Sequence, residues 1–114
     1  MSESKISERL VLLQKDYGLD LVQELVQIFA KDYSEVLLTL ESSLANADFE
    51  KVKFCAHRLK SGGANLGATH FAELGHYFEM LGPEIPPEAL QEQLLRMKNE
   101  YQKALKECQE FLIK

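Results

Sequence analysis

The chain is short of cysteine, of positive charge and of long apolar runs, and each shortage removes a class of function. Its two cysteines, Cys55 and Cys108, have neither CxxC spacing nor a companion set of metal ligands. Buried, reduced thiols are therefore expected rather than a disulfide or a metal site. Thirteen Lys and Arg face 18 Asp and Glu, for a net charge of −5. A binder of phosphate backbones needs a basic surface, so nucleic acid is set aside as a partner. No apolar run approaches the roughly 20 residues that span a bilayer. The segment from Met1 to Leu10 lacks the apolar core of a signal peptide. No membrane span and a cytoplasmic location are the expectations. Strand-like alternation, internal repeats and low-complexity segments are missing as well.

What is present is enough apolar material for one domain. The 114 residues are 46% hydrophobic and 27% charged, a balance that supports a buried core. Apolar positions recur at helical spacing throughout, giving helices at about 4–16, 20–45, 48–65, 69–81 and 87–113. The first carries Ile6, Leu10 and Leu13 inward and stops at Gly18. The second has the stripe Val22, Leu25, Phe29, Tyr33, Val36 and Leu40, with Asp20 as its cap. The third begins after the turn Asn46-Ala47-Asp48 and carries Phe49, Val52, Ala56, Leu59, Gly63 and Leu66, with Gly67 as its stop. The fourth is capped by Thr69 and carries Phe71, Leu74, Phe78 and Leu81. A loop from Gly82 to Pro86 leads to Pro87 at the first position of the last helix. That helix has the seam Leu90, Leu94, Met97, Tyr101, Ala104, Cys108 and Phe111. The fold expected is all-α: an antiparallel four-helix bundle with a short additional N-terminal helix over one end. Each stripe finds a partner within one bundle, so a monomer is the default. A starting methionine and a closed set of helices favour a free-standing chain.

The third helix departs from what stability alone would select. Ser61-Gly62-Gly63-Ala64 follows Lys60, and each interior glycine costs about 1 kcal/mol relative to alanine. Something is therefore expected to approach this helix closely. On a wheel of about 100° per residue, His57 falls on the side opposite the apolar stripe. Lys53, Lys60, Ser61 and Ala64 share that side. Gly63 lies on the core stripe, where it serves helix packing. A neutral imidazole nitrogen is a nucleophile near pH 7. Once phosphorylated, it would carry about two negative charges, which a lysine one turn away can offset. The reading is a phosphoryl group carried on His57, with a partner docked over a floor of small side chains. Any Mg²⁺ would come with that partner, so no cofactor and no metal are expected on the chain itself.

The segment from Ala56 to Ala68 resembles the histidine-containing phosphotransfer (HPt) domains of multistep two-component signalling. The family pattern has a histidine, a hydrophobic residue two on, a lysine three on, small residues four to seven on and a glycine ten on. His57, Leu59, Lys60, Ser61 to Ala64 and Gly67 occupy those places. Ser61 departs from the glycine many members have there, and keeps the position small. An acidic or amide residue often follows 22 positions after the histidine, where this chain has Glu79. Ala68, Ala72, Gly75 and Glu79 share one side of the fourth helix, which would set Glu79 beside His57. The resemblance implies a carrier rather than an autonomous kinase, taking a phosphoryl group from one receiver-domain aspartate and passing it to another. It implies receiver (response regulator) domains and a hybrid sensor histidine kinase as partners. It also implies a docking surface around Lys53, Arg58, Ser61, Ala64, Ala68 and Glu79, to which Val11, Leu12 and Ile28 could add apolar area. No glycine-rich ATP loop or Walker signature is present. The dimerisation domain of sensor kinases normally has an acidic residue straight after its histidine, where this chain has Arg58. Two other functions compete: a four-helix interaction module that binds a receiver without phosphorylation, and a metal-binding bundle. The first is disfavoured by the joint presence of His57 and Lys60. The second is disfavoured because paired Glu-x-x-His motifs are missing and because His70 and His76 lie on different faces.

Overall fold

A computed structural model describes residues 4–81 and 84–113. Five helices and no strand occur among them: α1 (Ile6–Tyr17), α2 (Leu19–Ala45), α3 (Phe49–Leu66), α4 (Thr69–Glu79) and α5 (Pro87–Leu112). The expected helices fall within about two residues of these bounds, the usual uncertainty of helix ends. Residues 82 and 83 of the expected loop lie outside the described residues.

The ends are set by local chemistry. Gly18 takes φ 96°, which separates α1 from α2 in one residue. Gly18 itself holds the cap position of α2, so Asp20 lies in the first turn and is not the cap. Asp48 caps α3 by accepting from the Lys51 amide at 3.3 Å. Gly67 closes α3 in the left-handed region at φ 81°. Ala68, not Thr69, occupies the cap position of α4. Pro87 opens α5, where its missing N–H leaves no bond unmade.

α2, α3, α4 and α5 form a closed ring of packed neighbours, and α1 packs on α2, α3 and α5. The predicted seams supply the core: Val22, Phe29, Leu40, Val52, Leu59, Phe71, Phe78, Met97 and Cys108 are fully shielded from solvent. α2 buries more than its single stripe, adding Val26, Leu37 and Ser43, because it serves two neighbours in the ring. Both cysteines are buried and free. Burial pushes the Cys108 thiol up to about 11 and raises Cys55 as well, which makes both poor nucleophiles. At the centre an aromatic cluster joins three helices. Phe29 of α2 meets Phe71 of α4 edge-on at 5.7 Å, and Tyr101 of α5 at 4.9 Å. The Tyr101 hydroxyl donates to the Phe29 carbonyl at 2.6 Å and lies 3.1 Å from that of Ala30. Tyr101→Phe is expected to cost about 1 kcal/mol, the ordinary net value of a hydrogen bond, as a lowered denaturant midpoint. An unchanged midpoint would remove this bond from the fold's support.

The charged face of α5 also ties helices together. Glu107 accepts from Ser4 at 2.9 Å and Ser7 at 3.2 Å, and Lys98 meets Glu41 of α2 at 2.9 Å. The start of α1 is held at the α3–α4 corner by the Lys5 amide, which donates to the Gly67 carbonyl at 2.9 Å.

Candidate functional site

The α3–α4 pair builds the site, and glycines set the distance between its two helices. A Cβ at Gly75 would lie 2.9 Å from the Lys60 nitrogen and 3.0 Å from its Cα. α4 therefore rests on the backbone of α3 at the level of Lys60. A Cβ at Gly63 would lie 2.8 Å from the Phe71 ring and 3.4 Å from the Ala72 nitrogen. These close approaches bring the end of α4 within side-chain reach of His57.

Glu79 is the result. Its Oε2 accepts from His57 Nδ1 at 2.8 Å, and its Oε1 lies 2.6 Å from the Lys60 ammonium. His57 is 61% exposed, whereas Glu79 is 22% and Lys60 31% exposed. A carboxylate oxygen can only accept, so Nδ1 must carry the ring proton. The lone pair then sits on Nε2, which has no partner among the described residues. Oε1 is shielded from water, and the Lys60 charge compensates it. The bonds from Lys60 and from His57 hold the Glu79 carboxyl below its ordinary value. A depressed carboxyl contributes stability at neutral pH, which is lost as pH falls through its lowered value. His76, one turn before Glu79, places Nδ1 at 3.9 Å from Oε1. Among the described residues no three His, Cys, Asp or Glu side chains converge to hold a metal ion.

The remaining expected site residues divide. Lys53, Arg58, Ser61 and Ala64 are exposed. Arg58 borders the α2–α3 groove with Asp32, Glu35 and Phe54. Ala68 does not belong to a docking surface. It is 4% exposed at the α3–α4 corner, and its amide donates to the Gly63 carbonyl at 2.8 Å. The wheel that placed it outward continued α4 through a residue that is the cap. The floor of small residues also needs correction. Gly62 is buried, and any Cβ there would overlap the Tyr33 ring of α2. Gly62 and Gly63 thus seat the half-buried Tyr33 and the buried Phe71 against α3, leaving only Ser61 and Ala64 of the run on the outer face. The i, i+3 spacing of His76 to Glu79 is the sequence signal for their approach. Val11, Leu12 and Ile28 are exposed.

The described residues form helices without a strand, and they set His57 on an exposed mid-helix face, braced by the Glu79 carboxylate with the Lys60 ammonium on the same carboxylate. The Hpt domain family model matches residues 24–110, and the chain belongs to that family. Hpt domains serve histidine phosphotransfer in phosphorelays, work with receiver domains and lack an ATP-binding kinase unit. No significant match occurs among curated proteins or among solved structures. Among the described residues, no helix is long and apolar enough to cross a membrane.

Proposed function

We propose that His57 accepts a phosphoryl group from a receiver-domain aspartyl phosphate and passes it to a second receiver. The observation that carries this reading is the His57–Glu79 bond, because it leaves Nε2 as an unprotonated, outward nucleophile. The Nε2 lone pair forms the N–P bond. The P–O bond to the partner's aspartate breaks, and that carboxylate leaves with the electron pair. Lys60 offsets charge on the transferred group. The Mg²⁺ that such transfer uses belongs to the receiver.

The scaffold is an antiparallel four-helix bundle of α2 to α5 with α1 across one end, forming a single domain over 1–114. The carrier is a cytoplasmic monomer without an enzyme activity of its own. A hybrid sensor histidine kinase stands upstream. The receiver docks over Lys53, Arg58, Ser61 and Ala64, with Val11, Leu12 and Ile28 as neighbouring apolar area. The test is transfer of labelled phosphate from a phosphorylated receiver, followed by acid and base treatment. Label lost in acid and stable in base is the expected result. Tight receiver binding with no label from any of several receivers would replace the carrier with a docking module.

A further inference from the structure

The residue that braces His57 is a carboxylate, and it also holds Lys60. Either a carboxylate or a neutral amide could accept the Nδ1 proton. Only the carboxylate adds a full negative charge 2.8 Å from the ring and 2.6 Å from the ammonium. Two consequences follow for a phosphorylated His57.

The first concerns the leaving group. Phosphorylation at Nε2 with Nδ1–H retained gives a ring with one positive charge, which the Glu79 carboxylate stabilises. When a receiver carboxylate oxygen then attacks phosphorus, the N–P bond breaks and its electron pair returns to Nε2. With the Nδ1 proton in place, the group that leaves is neutral imidazole. Without that proton it would be imidazolate, a far poorer leaving group. The second concerns Lys60. Its ammonium is engaged by Glu79 Oε1 and is therefore shared between that carboxylate and the phosphoryl oxygens. Both effects raise the reactivity of the N–P bond.

We propose that the charge of Glu79, beyond its hydrogen bond, makes it a positioning residue that poises phosphohistidine 57 for onward transfer rather than storage. This rests on His57 being the phosphoacceptor. The charged and titratable groups facing the site are Lys60 on α3 and His76 on α4, with Glu73 of α4 lining the groove beside them. Lys5 and Arg9 from the α1 side border the groove that Lys60 and His76 line.

The experiment uses a small phosphoryl donor, phosphoramidate, on the whole chain, so no receiver is needed. Decay of the phosphohistidine is followed by ³¹P NMR across pH in the parent, in Glu79→Gln and in Lys60→Gln. Glu79→Gln keeps an oxygen that can accept from Nδ1 and removes the charge. Its phosphohistidine is expected to decay about tenfold more slowly at pH 7, because the negative charge that stabilises the positively charged phosphorylated ring is gone. Its decay profile should shift toward acid, and ¹⁵N shifts of the phosphorylated ring should report loss of the Nδ1 proton. Lys60→Gln removes the counter-ion and should shorten the lifetime. Equal lifetimes and equal profiles in parent and Glu79→Gln overturn the proposal while leaving His57 as the carrier. Absence of any phosphohistidine in the parent overturns both readings.

Discussion

His57→Gln is expected to abolish phosphate acceptance completely while leaving the protein folded. The amide nitrogen of glutamine is not a nucleophile, since its lone pair is delocalised into the carbonyl, so no slow residual reaction at position 57 is expected. The ring of His57 is 61% exposed and contributes nothing to the core. Loss of the imidazole should change stability by no more than about 0.5 kcal/mol, as for ordinary surface substitutions. Two other histidines make the experiment informative. His76 is as exposed as His57 and lies 3.9 Å from the same carboxylate, and His70 lies 3.6 Å from Glu73. Acid-labile label persisting in His57→Gln at the parent's level would move the acceptor to one of these. A collapse of helical content in the variant would refute the placement of His57 on an outward face. Receiver binding should survive the substitution, which separates docking from chemistry.

The elements that the sequence reveals are those governed by a single helix. Apolar spacing identifies the seams of α4 and α5 because a helix places every third or fourth residue on one side whatever its neighbours do. The same argument turns His57 away from Leu59 and Val52. It fails where the controlling quantity is a distance between two helices. Gly62 reads as clearance for a partner, yet the Tyr33 ring of α2 fills that space. Periodicity carries no term for interaxial separation, so an internal and an external close approach look alike. Ala68 illustrates a second failure, since a wheel extended across a cap residue assigns a face that the backbone does not have. Glu79 lies between these cases. Its contact with His57 needs the correct register between α3 and α4, which the residue pattern shared with phosphotransfer domains supplied and helix geometry alone did not.

That register depends on Gly75, and Gly75→Leu is expected to damage fold and site together. A Cβ at this position already meets the Lys60 backbone at 2.9–3.0 Å. Backbone inside a helix cannot swing aside as a side chain can, so a leucine must push α4 away from α3. Overpacking of this kind costs about 1–3 kcal/mol. Replacing an interior glycine by a good helix former returns about 1 kcal/mol, so a net loss of about 1 kcal/mol is expected as a lowered denaturant midpoint. The functional loss should exceed what that stability change explains. Glu79 lies one turn beyond Gly75, and its bonds of 2.8 Å to His57 and 2.6 Å to Lys60 do not tolerate a displacement of about 1 Å. The ring would lose its fixed proton position, and transfer should slow even at temperatures where the variant is fully folded. Kinetics measured on the folded variant test this directly. A midpoint equal to the parent's would show that the two helices can separate at no cost. Unimpaired transfer in a destabilised variant would show that Glu79 reaches His57 without the close crossing. Both results together would detach the glycine from the site and leave Gly75 as no more than a helix-packing residue.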